Sequence, residues 1–500
     1  NRIERNTYVP GSLGLVQQED MDFTGTENSI DVSGIFSAGL DFNENHNVRL
    51  TSVVLRKTDD RIFRTTGDTE AGSEVEINEI QWVERELASH QLQGDHFFPS
   101  FNEFVFNWRY SEITATREAP DNRLYRYDAG EFSSRVDGNL RNFDALEDNA
   151  SELGLDFTMA FYGPLNTIIT PKVGYVSSEK TRDSEIRRFG FAFNGPLAND
   201  ISLLVKPLEE ILTPENITEQ GFLIRELTRP TDNYKANNNL EAFYGQVEVN
   251  FDDRLRLTFG GRQEDFDQVS TTFDLFRPTS AAVAELKQKR FLPAFSATYI
   301  HYDHQFRLAY SETVSRPDFR ELSTSPFIDP ETGREIFGNP NLDITSITNF
   351  DFRWEWYFDF TDYISLGVFY KEFVDPIEAT IFSPVDRKVT YINAASAENQ
   401  GIELEGYKRL DFLGPLGEDF YIQGNVSYID SSVEIRDADR GSLTSTSRAL
   451  QGQSDILFNA QIGYEPYSGT TATLLYHYFG DRIAEVGIEG APDLIQEGYG

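Results

Sequence analysis

Two stretches between Gln305 and Phe360, separated by a polar loop, constrain what this chain can fold into. In the first, Phe306, Leu308 and Tyr310 alternate with Arg307 and Ala309; in the second, Phe350, Phe352, Trp354, Trp356 and Phe358 alternate with Asp351, Arg353 and Glu355. A period of two puts the rings on one face of a strand and the charges on the other. A soluble sandwich would have to bury those charges against its second sheet. A wall with lipid on one side and water on the other accommodates both faces. Such a wall has to close into a barrel, because an open sheet edge in hydrocarbon leaves backbone groups unpaired.

Composition agrees with that wall. The chain has 500 residues, 39% hydrophobic, with a mean hydropathy of −0.45, and no apolar run is long enough for a membrane helix. Burial with period two explains the low hydropathy. Forty Phe and 23 Tyr against 2 Met favour strands and membrane-interface rings. No composition shift divides the chain, so residues 1–500 are expected to form one transmembrane β-barrel domain. Without cysteine there is neither a disulfide nor a thiolate metal site. A net charge of −38 argues against nucleic acid as a partner.

Along the chain one unit repeats: strand, short turn, strand, long polar loop. Residues 1–30 read as an irregular surface segment. Eight hairpins follow, at about 31–43 with 47–60, 77–98 with 102–118, 152–162 with 167–194, and 240–250 with 255–266. The rest lie at about 291–300 with 305–315, 349–360 with 363–374, 401–413 with 420–433, and 457–464 with 471–479. Residues 119–150 and 195–239 read as long loops, the second with a short helix at Lys206 to Leu212. Short turns on one rim and long loops on the other are the asymmetry of an outer-membrane barrel whose short turns face the periplasm. Rings beside the turns, at Phe42, Phe97, Tyr162, Phe251, Tyr302, Phe358, Phe360 and Tyr467, suit an inner interfacial girdle.

Candidate functional residues fall into two groups. Arg109, Arg256, Arg262, Arg307, Asp351, Arg353 and Glu355, joined by Glu403 and Glu405, are assigned to the water-filled lumen face. They would dock an internal domain and pass a hydrophilic solute, or simply pair with one another in solvent. Phe222, Tyr234, Phe273, Phe276, Phe327 and Tyr391 are rings among polar neighbours in the outer loops, placed to stack on a ligand or to pack the loops together. Pro317 in Ser315-Arg316-Pro317 lacks an amide hydrogen and is expected to end a strand rather than to touch ligand. His46, His96, His301 and His304 fall in turns, at spacings that do not make a zinc site, and Asp437, Asp439 and Gly441 only echo a calcium loop. No metal or cofactor is expected. No nucleophile elbow, phosphate loop, dinucleotide fingerprint or H-E-x-x-H is present, so an enzyme is not expected.

Several segments carry a family likeness: SRPDFREL at Ser315 to Leu322, GNPNL at Gly338 to Leu342, NFDFRWEWYF at Asn349 to Phe358, LPAFSATY at Leu292 to Tyr299, NAASAENQGIELEGYKRL at Asn393 to Leu410 and GDRIAEVG at Gly480 to Gly487. In this order the set closely resembles the barrel of TonB-dependent outer-membrane receptors, over nearly the whole chain. The resemblance implies a barrel of about twenty-two strands, of which about sixteen fall here. It also implies an N-terminal plug, a TonB-gripped segment before it and closing C-terminal strands, all expected outside this sequence. The implied function is energised import of a scarce nutrient, such as an iron chelate, corrinoid, oligosaccharide or peptide, across the outer membrane of a Gram-negative cell. The implied partners are outer-membrane lipid and lipopolysaccharide, the TonB complex, the nutrient and a surface lipoprotein or assembly partner. A passive porin-like channel, an outer-membrane scaffold, and a soluble β-rich binding protein or glycosidase are the competing readings.

Overall fold

Strands follow from where alternation meets turn residues. The computed structural model describes residues 2–11, 14–68, 74–135, 138–274, 276–328, 334–383, 388–467, 469–490 and 492–500. Its wall strands are β1 (Arg2–Gly11), β2 (Gly14–Asn43), β3 (His46–Asp68), β4 (Glu74–Phe98), β5 (Phe104–Asp128), β6 (Asn139–Thr158), β7 (Thr167–Phe193), β8 (Asn233–Phe251) and β9 (Leu255–Asp274). They continue as β10 (Arg277–His301), β11 (His304–Ser315), β12 (Thr345–Tyr357), β13 (Tyr363–Val374), β14 (Ser396–Arg409), β15 (Phe420–Glu434), β16 (Ile456–Tyr464) and β17 (Ala472–Phe479). Each pairs antiparallel with the next. Together with four short strands they make a single 21-stranded sheet. This is the all-β, antiparallel barrel wall that the alternation requires. No pairing joins β1 to β17 among the described residues.

The short rim is built from turn chemistry. At the β8–β9 connection Asp252 and Asp253 both have positive φ, 50° and 54°, a left-handed conformation that Asp tolerates and that matches strand twist. Tyr302 (φ 52°) does the same between β10 and β11. Beside these turns the outward face is aromatic. His96 lies between Phe106 and the indole N–H of Trp108, which donates to His96 Nε2 at 3.1 Å, and Trp354 donates to His304 Nδ1 at 3.2 Å. The rim histidines thus satisfy ring donors in the girdle. Phe97 is a correction: it lies on the inward face, opposite Val105, and Phe98 holds the exposed outward position.

The outward face changes character a short way up each strand. On β5 Tyr110 donates to Glu112 at 2.7 Å, and on β11 Tyr310 donates to Glu312 at 2.6 Å. The same spacing recurs at Tyr370 with Glu372 and at Tyr428 with Asp430. Between Phe104 and Tyr110, or His304 and Tyr310, a tilted strand covers most of the hydrocarbon, which takes about 9–11 residues. The tyrosines therefore mark the outer interface. Within the band Phe352 is 40% exposed to the outside whereas Glu355 on the opposite face is 5% exposed.

Above the band the strands continue where loops were expected. Residues 2–11 and 14–30 are β1 and the start of β2, and most of 119–150 belongs to β5 and β6. Only residues 275 and 276 separate the tall hairpin arms β9 and β10, where Asp274 pairs with Arg277. The alternation is missing there because both faces meet water, so backbone pairing extends the sheet with no apolar pattern to reveal it. In the segment 195–232, two short helices form at α1 (Ile201–Leu204) and α2 (Leu208–Ile211), and they pack Leu203, Leu204 and Ile211 with Phe132, Phe191 and Phe222 in a closed apolar cluster.

Candidate functional site

Register alone carries the inner face around the wall. Arg109 faces Gly154, which faces Val176, then Ala242, then Glu264 next to Arg262 on the same face. Arg256 faces Thr298, Thr298 faces Arg307, Arg307 faces Arg353, and Arg353 leads through Gly367 to Glu403. Arg109, Arg256, Arg262, Arg307, Asp351, Arg353 and Glu355 accordingly share one face, opposite the aromatic one.

Three of them meet. Arg307 and Arg353 stand directly across from each other, a repulsive placement that the buried Glu355 relieves: it lies 3.3 Å from Arg307 and accepts from Arg353 at 2.8 Å. Arg353 also donates to Glu405 at 2.9 Å, and Glu405 accepts from Tyr363 at 2.7 Å. The others sit in separate pairs: Arg109 with Glu152 at 2.8 Å, Arg256 with Glu248 at 3.5 Å, and Arg262 with Glu264 at 2.6 Å. Asp351 is exposed and has no ion-pair partner among the described residues. A glycine opens the wall where Tyr244 lies flat, since a Cβ at Gly174 would stand 2.4 Å from that ring. Arg109, Asp156, Tyr244 and Arg262 line a cavity of about 390 Å³ on this face.

At the mouth, the segment after β11 folds inward. Ser315 ends the strand, the Pro317 carbonyl accepts from Gln268 at 3.0 Å, and Asp318 forms a capping box with Glu321 on α3 (Phe319–Leu322). Arg316 pairs with Glu264 and lies 4.3 Å over the Phe266 ring. Asp318 lies 3.5 Å from Arg182, which clamps Asp148 with two bonds of 2.6 Å. Phe319 is buried against Tyr234 and Ala236 beneath Lys180 and Arg182. Ser323 bonds Thr272 at 3.1 Å. By register Asp148, Arg182, Ala236, Glu264, Gln268 and Thr272 are all on the inner face, so residues 316–325 line the inside of the mouth. Sequence reasoning reached the strand-ending role of Pro317 but not Glu264, Asp148 or Arg182. Glu264 has Arg262 two residues away, but its mouth partner Arg316 lies 52 residues on, and Asp148 and Arg182 lie 34 apart, with no local spacing to announce these meetings.

The aromatic candidates divide. Phe222 is fully buried with Phe132 and Phe193, and Tyr234 is buried with Phe319, so both hold loops together and do not offer a face to ligand. Of the two readings open for these rings, ligand stacking or loop packing, the burial of Phe222 and Tyr234 fits loop packing. Tyr391 packs against the Ala284, Leu322 and Leu342 cluster, and its carbonyl accepts from Asn339 at 2.9 Å. Phe273 is half-buried opposite Asn233, Phe276 is exposed, and Phe327 lies beneath the Arg320 guanidinium at 4.5 Å. Asp437 and Asp439 form a single 3₁₀ turn after Arg436. Among the described residues no three His, Cys, Asp or Glu side chains are grouped to hold a metal ion, and no helix is long and apolar enough to cross a membrane.

A wall with these two faces was compared with known proteins. The TonB dependent receptor-like β-barrel family matches residues 18–499. Similar solved structures include the siderophore receptor PiuA of Acinetobacter baumannii, 12% identical over 98% of this chain and 76% of that one, with a TM-score of 0.56. The ferric-catecholate import receptor Fiu of E. coli K12 is 10% identical over 96% and 74%, with a TM-score of 0.56. The ferric yersiniabactin uptake receptor FyuA of Yersinia pestis is 10% identical over 97% and 77%, with a TM-score of 0.54. A search of curated protein sequences gives no match. At these identities the structural likeness speaks to fold, and the family match, which spans inner face, mouth and girdle alike, makes this chain a member of the TonB-dependent receptor-like β-barrel family.

Proposed function

We propose that this chain is the barrel of an energised outer-membrane receptor that imports an iron chelate. The observation that carries the reading is the inner face, polar and ion-paired from the short rim to an inward-folded mouth, on a wall whose outer face is aromatic through the bilayer. Such a lumen suits a hydrophilic solute and a polar internal domain. Iron chelates are favoured as cargo because similar solved structures include a siderophore receptor and importers of ferric chelates. On this reading the plug, the TonB-gripped segment and further wall strands come from chain outside residues 1–500, since an open edge in hydrocarbon is costly. The barrel's own contribution is binding and passage, with no bond chemistry.

The test is uptake of radiolabelled iron chelates by cells carrying the full-length receptor as their only route. Uptake that stops on addition of a protonophore, and on loss of TonB, is expected. Uptake indifferent to both would establish a passive channel instead.

A further inference from the structure

The outer half of the inner face carries a row of like charges. Across β3, β4 and β5, Lys57 stands directly opposite Arg85, and Arg85 directly opposite Arg117. Cations placed this way repel, and this row lies in a protein of net charge −38. A fourth cation arrives from the inward-folded segment: Arg320 lies on α3, whose capping Asp318 is 3.5 Å from Arg182, and Arg182 clamps Asp148, which stands opposite Ala115, two residues from Arg117 on the same face of β5.

Compensation within the protein is incomplete. Asp31 stands opposite Lys57. Asp59, almost fully buried, accepts from Arg85 at 2.6 Å and lies 3.7 Å from Lys57, so it serves the near end of the row. Arg117 meets a carboxylate only at 3.9 Å, in Asp144. On its other side stands Leu146. Arg320 rests on the Phe327 ring and has no carboxylate within ion-pair distance among the described residues. Arg85 and Arg117 keep 44% and 35% of their side-chain surface exposed, so a solute in the mouth can reach them. Burial holds Arg117 below the ordinary arginine value; Asp144 opposes this, and Arg85 and Arg320 add to it.

Guanidinium forks fit oxyanions with paired hydrogen bonds. We propose that Arg85, Arg117 and Arg320 form an anion-receiving site on the inner wall of the mouth, and that the cargo is an iron chelate of net negative charge. This rests on the import reading above and narrows its substrate class. Two arginines come from the rigid wall and the third from the segment 316–325, so an anion bound between them ties that segment to β5.

The test titrates the purified full-length receptor with iron(III) citrate, an iron(III) tris-catecholate, a neutral iron(III) trihydroxamate and iron-free citrate. Variants are Arg117→Gln, Arg320→Gln and the conservative Arg117→Lys, with Lys289→Gln as a charge-loss control away from the row. Thermal unfolding of each variant separates loss of site from loss of fold. An anionic iron complex is expected to bind and to weaken about tenfold or more in each Gln variant. Arg117→Lys should lose less, and Lys289→Gln nothing. Anionic complexes binding equally to wild type and folded Gln variants would overturn the site. Tight binding of the neutral complex alone would also overturn it, while leaving iron import standing. Arginine-dependent binding of iron-free citrate with no iron complex bound would keep the anion site and overturn iron as cargo. Binding of none of the four would overturn both.

Discussion

The lower and upper halves of the wall use the same strands under different solvents. Within the bilayer band one face meets lipid and the other water, so β11 and β12 alternate rings with charges and each turn is flanked by aromatics. Above Tyr110 and Tyr310 both faces meet water, and order comes from backbone pairing and from buried ion pairs such as Arg182 with Asp148 and Arg188 with Asp232. The lower half is stabilised by where side chains point. The upper half is stabilised by which side chains meet.

The largest effect should come from breaking a meeting. Asp232 is fully buried and accepts from Arg188 at 2.8 Å. Arg188→Ala leaves that carboxylate unpaired, which costs about 3–5 kcal/mol. Hydrogen exchange should show the amides around 229–235 losing protection while those of the bilayer band keep theirs; uniform loss would mean that the halves are one cooperative unit.

Next comes the change that breaks a pointing. Phe352→Arg puts a cation in the hydrocarbon at a cost of about 2–4 kcal/mol near the midplane. Ile62→Arg, also on an outward, exposed position but high on β3, should change stability by no more than about 0.5 kcal/mol. Denaturant titration in lipid bilayers reads both, and similar costs would dissolve the distinction between the halves.

Acid should sharpen it. Burial alone would raise the Asp59 carboxyl, but hydrogen bonds from Ser29 and Arg85 and the charges of Arg61 and Lys57 hold it below 3.8. A depressed carboxyl stabilises the fold above its unfolded pKa, and that contribution is lost as pH falls through the folded value. Protection of amides around Asp59 should therefore fall off only below the ordinary aspartate range, and Asp59→Asn should remove that step. Protection falling at pH 5 to 6 would show that other groups control it.

The smallest effect is expected at an exposed pair. Lys289 and Asp265 lie 2.7 Å apart but are 76% and 50% exposed, so Lys289→Ala should cost about 0–1 kcal/mol. A larger loss would place this pair in a packed interface.

What was legible follows the same division. All sixteen expected strands are present, and the seven lumen candidates share a face, because a period of two survives in any short window. Residues 2–11 and 14–30 were misread, and β5 and β6 were cut short, where wet surfaces on both sides erase the period. Phe222 and Tyr234 read as rings open to ligand or as loop packing, and only burial separates the two readings: Phe132 lies 90 positions from Phe222 and Phe319 lies 85 from Tyr234, although Phe193 and Ile211 bury Phe222 from nearer by.

The sequence by itself determined the faces: which side chains point to lipid, which to the lumen, and hence an antiparallel barrel. Alternation is a local property, and lipid enforces it residue by residue. Only the tertiary structure decided the pairings. Register set Lys57, Arg85 and Arg117 in one row, folded 316–325 back onto the inner wall, and matched Arg188 to Asp232. Those contacts join residues up to more than a hundred positions apart, and Coulombic attraction carries no sequence period by which they can be read.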